Sequence, residues 1–286
     1  MSSGQEEKEV TFWDRLENVP RWFLFLLVLI AMTYPILRPL GLPIITGQPS
    51  KEAFKGVEET PDGSFVVFHV AYGGGGKPTL QPAAIAVSHH LFQKDVKIIY
   101  FCDNVPDLSN TYEIFDMLSP EERYGKRYGE DYVVLSLTGP FLTQSAIVLS
   151  NLIETIPTDA AGTRLVDLPI FEGYVETENI GLVFQLTTSG DISEGWVYQA
   201  YSRYGMRLVG GWLSMMTSSM IPYYQAGQML GFIDGSKGAA DYEVLINRPG
   251  EAVMITDILS LTQVVYLLFI IIGNIAYFGK RSVEGK

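Results

Sequence analysis

The chain reads as an α/β protein: a mostly parallel, Rossmann-like or flavodoxin-like three-layer sandwich flanked by an N-terminal and a C-terminal transmembrane helix. Two observations predict this. Between residues 63 and 250, short continuous apolar runs alternate with helix-periodic stretches, the pattern of a parallel sheet covered on both faces. Outside that region, two apolar segments of membrane-helix character bracket the chain.

The elements follow in order. Residues 1–21 are polar and charged, with a short amphipathic stretch around Phe12, Trp13 and Leu16 suited to a bilayer surface. Residues 22–42 form the first apolar segment, with Arg38 able to snorkel near its end. No small-residue cleavage site follows it, so it reads as an uncleaved anchor and not as a signal peptide. Residues 43–62, rich in Pro, Gly and charge, read as a linker. Strands are predicted at 64–72, 96–102, 131–137, 180–186 and 206–214, where β-branched and aromatic residues run together between turn signals. Helices are predicted at 80–93, 110–118, 143–156 and 193–204, and a mainly helical stretch over 219–246, interrupted near Asp234 and Gly235. Residues 258–278 contain no charged side chain and are long enough to cross a bilayer alone.

Charge bounds the partners. The chain has 286 residues and a net charge of −12, which argues against nucleic acid, whose phosphates require clustered Lys and Arg. The single cysteine, Cys102, excludes an internal disulfide. Lys280, Arg281 and Lys286 follow the second apolar segment, and no Lys or Arg lies between Arg248 and its start. By the positive-inside rule, residues 279–286 are then a cytoplasmic tail. With two crossings, residues 1–21 are cytoplasmic as well and the α/β domain at 63–250 is extracytoplasmic, which places the chain in the cytoplasmic membrane.

In a parallel sheet, ligands bind beyond the carboxyl ends of the strands. The loop after the first strand holds Gly73 to Gly76 and Lys77; Gly74, Gly75 and Lys77 are candidates for cradling a phosphate at a helix start. The run is neither GxGxxG nor GxxxxGK[ST], and an isolated glycine cluster reads first as a flexible turn. Asp103, after the second strand, falls where a ribose-binding carboxylate sits in such folds. Thr188, Ser189 and Asp191, after the fourth strand, precede a helix N-terminus that favours an anion, although Ser193 capping that helix accounts for the same residues. His89 and His90 are adjacent on a helix and His69 lies in a strand, so no convergent metal set and no cofactor is expected. No serine lies in a GxSxG elbow, and no catalytic residue is assigned. The repeat Gly227, Gly231, Gly235, Gly238 places glycines on one face of a helix, for tight packing on its own sheet or for a subunit interface.

Several segments resemble a widespread prokaryotic family of bilayer-anchored proteins with an α/β domain. They are Tyr223-Tyr224-Gln225-Ala226-Gly227-Gln228-Met229-Leu230-Gly231, continuing to Lys237-Gly238-Ala239-Ala240-Asp241-Tyr242-Glu243, with Tyr128-Gly129-Glu130-Asp131-Tyr132, Pro157-Thr158-Asp159-Ala160-Ala161-Gly162-Thr163 and Gly273-Asn274-Ile275. The resemblance implies architecture and no mechanism. It fails after the third strand, where the family's Gly-Gly-Glu is replaced by Thr138-Gly139-Pro140-Phe141. The expectation from sequence is a bilayer-anchored structural or interaction protein, a homo-oligomer or a subunit among other membrane proteins. The competing expectation is a sensor or enzyme that binds a small anionic, nucleotide-like or phosphate-like ligand at the strand-end loops.

Overall fold

The computed structural model describes Phe12, residues 19–38 and residues 40–284. The expected surface stretch at Trp13 and Leu16 lies outside them, as does Lys286. Two compact units emerge: Pro43–Val253, and the residues up to Leu42 together with those from Met254 onward.

The larger unit is an α/β fold around six parallel strands. In chain order the elements are α1 (Arg21–Leu37), α2 (Gln48–Glu58), β1 (Phe65–Ala71), α3 (Gly73–Phe92), β2 (Lys97–Cys102), α4 (Val105–Leu118), β3 (Tyr132–Ser136), α5 (Phe141–Ser150), β4 (Ile180–Thr187), α6 (Gly190–Trp196), β5 (Leu208–Trp212), α7 (Thr217–Gln225), β6 (Gly231–Asp234), α8 (Gly235–Leu245) and α9 (Glu251–Glu284). The strands lie side by side as β3-β2-β1-β4-β5-β6, the Rossmann order. In register, His69 of β1 pairs with Phe101 of β2 and Gln185 of β4. Successive side chains of a strand point to opposite faces, and here both faces are buried. Val66, Phe68, Val70 and Tyr100 pack with Leu80, Val87 and Ile114 of α3 and α4. Phe65, Val67, Ile99 and Phe101 pack with Val148 of α5, Trp196 of α6 and Met220 of α7. Continuous apolar strands are the consequence of this double coverage.

Four expectations need correcting. The linker at 43–62 contains α2, whose Ala53 and Val57 are fully buried. The glycine run after β1 is the first turn of α3 and not a loop before it. The helix expected over 193–204 is α6 followed by a π-helical turn, Val197–Ser202. The helical stretch at 219–246 is split by β6, so its glycines do not share a helix face. Gly227 sits in a turn at φ +74°, Gly231 opens β6, Gly235 starts α8 at φ +52°, and Gly238 lies inside α8. A Cβ on Gly231 would stand 2.3 Å from the backbone nitrogen of Ala53, and one on Gly238 would stand 2.9 Å from the backbone of Ile233. Close internal approach of α2 to β6 and of α8 to β6 is what these two glycines permit.

In the second unit, α1 is apolar but only 17 residues long. Among the described residues, one helix is long and apolar enough to cross a membrane: Glu251–Ser282, with a mean hydropathy of 2.2 over its best window. Large apolar side chains such as Leu267, Ile270 and Ile271 are exposed along it, the surface a bilayer would cover. Asp257 is fully buried and accepts the backbone N–H groups of Leu40 and Gly41 at 3.0 Å and of Leu42 at 3.3 Å.

Candidate functional site

The strand order reverses between β1 and β4, because β1 continues to β2 on one side while β4 continues to β5 on the other. Such a switch point opens a crevice at the carboxyl ends of the two strands. There the first turn of α3 touches the loop after β4. A Cβ on Gly76 would lie 2.5 Å from Cγ2 of Thr188 and 2.8 Å from Cβ of Tyr72, so only glycine lets the start of α3 reach the end of β4. Gly73 makes the turn into α3 at φ +54°. Gly74 and Gly75 are exposed, with no neighbour within 4 Å of a notional Cβ.

A chain of hydrogen bonds runs behind the carboxyl ends of β1 and β2. Trp196 Nε1 donates to His69 Nδ1 at 2.9 Å, and His69 Nε2 lies 2.9 Å from Asp103 Oδ1. An indole N–H can only donate, so Nδ1 is the acceptor and the ring proton sits on Nε2, donated to Asp103. The imidazole is fully buried between the rings of Phe101 and Phe141, with centroid distances of 4.4 and 5.6 Å. Both ring nitrogens are committed, so His69 orients Asp103 and is not itself poised to exchange a proton with a ligand. The Asp103 side chain is 18% exposed. Its second oxygen accepts from no described residue.

Asp107 completes the floor. Its Oδ1 accepts the N–H of Gly73 at 2.7 Å, and the Gly73 carbonyl accepts from Asn110 Nδ2 at 3.1 Å. Asn104 caps α4 by accepting the Asp107 N–H at 3.0 Å. Asp107 is 1% exposed, yet its Oδ2 has no partner among the described residues. Burial pushes its carboxyl above the usual range; the neighbouring Asp103 adds to this, while the Gly73 N–H opposes it. Behind it, Tyr72 donates its hydroxyl to Gln81, whose amide donates to the Asn110 carbonyl at 3.0 Å.

The residues singled out from sequence therefore lie at one edge of the sheet, with roles differing from those expected. Lys77 is paired with Glu113, which occupies the charge expected to meet a phosphate. Thr188 is exposed and abuts Gly76; Ser189 donates its backbone N–H to Thr187 Oγ1 at 3.0 Å and makes no side-chain cap. Ser193 does not cap α6 either: it is buried and bonds to the amide of Gln185. Asp191 faces an adjoining groove of about 700 Å³, lined also by Phe141, Glu194, Tyr198 and Tyr223. Among the described residues no group of His, Cys, Asp or Glu side chains converges as a metal site. His69, Asp107 and Trp196 were invisible as a set in the sequence, because 127 positions separate His69 from Trp196. The one local signal was Asn104-x-x-Asp107, a helix-start pattern that reads as capping alone.

Set against known protein families, curated proteins and solved structures, the chain matches none of them.

Proposed function

We propose that this chain is a bilayer-anchored ligand-binding protein whose Rossmann-like domain takes a small polar molecule at the switch point between β1 and β4. One observation carries the reading: at the place where the strand order reverses, the first turn of α3 meets the loop after β4 through Gly76 and Thr188, and the Asp103 carboxylate after β2 is held in position by His69. A preoriented acceptor whose own partner is locked by Trp196 is how a site reduces the ordering cost of binding. Fold alone would not support this, since Rossmann-like sheets host many functions. Anchoring rests on the C-terminal helix. We assign α1 to a second crossing, completed through residues 38–42, and the domain to the extracytoplasmic side on the strength of Lys280 and Arg281. The resemblance to a prokaryotic family of bilayer-anchored proteins supports anchoring and says nothing of the side.

The test is thermal unfolding of the full chain in detergent against a panel of small polar molecules of all three charge types. A ligand of this site raises the melting temperature, and the rise is reduced in Asp103→Asn, which keeps the acceptor for His69 and removes the charge. A panel without effect on the wild type sinks the reading.

The alternative is a subunit of a membrane assembly, homo-oligomeric or mixed. The exposed rings of Tyr198 and Tyr204 and the exposed Leu142 favour it, since exposed aromatic side chains are the usual anchors of interfaces. The glycine positions give it less support than expected, because Gly231 and Gly238 face the interior of their own chain.

A further inference from the structure

We infer that the switch-point crevice takes a ligand presenting a protonated amine, seated between the carboxylates of Asp103 and Asp107. The inference rests on the crevice being a binding site at all, and it names the ligand's chemistry.

The groups around the crevice are rich in acceptors and poor in positive charge. Asp103 presents an oxygen that no described residue uses, and His69 spends its only ring proton on the other. Asp107 holds Oδ2 unpartnered at 1% exposure, beside the start of α3, where its Oδ1 already occupies the Gly73 N–H. A buried carboxylate oxygen without a donor is rare in a folded protein and calls for one from outside the chain. Lys77, in the first turns of α3, is occupied by Glu113. The adjoining groove repeats the pattern: Asp191 and Glu194 line it, together with aromatic rings, and no Lys or Arg does.

These features separate three ligand classes. A phosphate at the exposed N–H groups of Gly74 and Gly75 would meet Asp103 and Asp107 and no free cation, so repulsion offsets the helix dipole. A neutral hydroxyl supplies one donor and leaves the acidic excess uncompensated. An ammonium group supplies three donors and a positive charge, enough for both carboxylates. The aromatic lining of the neighbouring groove suits the alkyl or quaternary part of such a molecule.

The full chain in detergent is to be titrated with ethanolamine and propylamine, with ethylene glycol and propanol as neutral counterparts, and with inorganic phosphate and AMP as anions, ionic strength being held constant with potassium chloride. Melting temperature and heat of binding are the readouts. Amines are expected to raise the melting temperature while their neutral counterparts leave it unchanged. Asp107→Asn keeps the acceptor for Gly73 and replaces the orphan oxygen with a donor; it should weaken amine binding by about tenfold or more, as loss of a charged hydrogen bond does. Its own melting temperature, equal to or above that of the wild type, shows that the fold is intact. If this variant misfolds, Asp103→Asn provides the same comparison. Stabilisation by phosphate or AMP that is altered in these variants overturns the amine assignment and leaves the crevice as the site. Amine stabilisation that both variants retain in full overturns the seat between the two carboxylates. No stabilisation by any probe overturns the site and the amine together.

Discussion

Gly231 has no room for a methyl group. Its notional Cβ falls 2.3 Å from Ala53 N, 2.6 Å from Pro49 O and 2.7 Å from Glu52 C, all backbone atoms of α2 that cannot rotate away. Gly231→Ala should therefore destabilise the domain by about 1–3 kcal/mol, the range for overpacking. Chemical denaturation of the full chain checks this; a variant as stable as the wild type but altered in native mass would return Gly231 to an intermolecular interface. The same scale governs His69. With Trp196 donating to Nδ1, nitrogen NMR should find His69 protonated at Nε2 and unprotonated at Nδ1. Trp196→Phe leaves that buried nitrogen unsatisfied, at a cost of about 1–3 kcal/mol for the lost partner, with lost packing added. An Nδ1-protonated ring in the wild type would contradict the orienting role given to this histidine. The strand carrying His69 was legible from its apolar run. The partners were not, because a hydrogen bond across 34 or 127 positions leaves no spacing to read.

At the scale of elements, the five strands β1 to β5 were legible because each is a continuous apolar run closed by a turn. β6 was missed for a physical reason. It is four residues long, and its first residue, Gly231, and the residue after it, Gly235, fall four apart, as they would along a helix face. The helix α2 was missed because Pro49, Gly56 and its charged residues resemble a linker, although Ala53 and Val57 at a spacing of four are its buried stripe. The junction before α9 shows how a helix start is held without a side chain of its own to cap it. Glu243 of α8 is buried and accepts the N–H groups of Gly250, Ala252 and Val253 at 2.8, 3.0 and 2.9 Å. Nearby, Arg248 Nη1 lies 2.7 Å from His89 Nδ1 and 3.1 Å from the hydroxyl of Tyr124. Burial, with Arg248 beside it, lowers the His89 pKa from 6.5 to about 4. The sign follows from linkage: between those values the unfolded chain binds a proton that the folded one refuses, so stability falls as the pH drops from 6.5 towards 4. His90, lowered mainly by burial, adds to the same trend. Melting temperatures measured across this range should fall less steeply in His89→Gln than in the wild type. Equal slopes would show that His89 is not held neutral by its surroundings.

At the scale of the molecule, the claims are an α/β domain and membrane anchoring. The alternation of strands and helices made the first legible; for the second, the apolar composition of residues 258–278 made legible that α9 is long and apolar enough to cross a membrane. The proposed second crossing and the proposed side of the domain rest on the apolar run at residues 22–42 and on a few cations, while α1 itself has only 17 residues. In intact spheroplasts, external protease should digest the domain and leave a tag at the C-terminus protected. A protected domain would reverse the orientation; a digested domain with a digested C-terminal tag would remove one crossing. The strand-end positions of Gly74, Gly75, Lys77, Asp103, Thr188, Ser189 and Asp191 were legible from the alternation of strands and helices. Its chemistry was not, since the charge of Lys77 looks free in the sequence and is met by Glu113 only in the fold.

The central claim is that the crevice between β1 and β4 is a binding site. Hydrogen–deuterium exchange on the full chain, with and without the small-molecule fraction of the cells that make it, tests this most directly. Slowed exchange is expected in residues 72–77, 103–108 and 187–191, with a smaller effect in the Asp103→Asn variant. Unchanged exchange in those three loops, with protection appearing instead along residues 227–238, would contradict it.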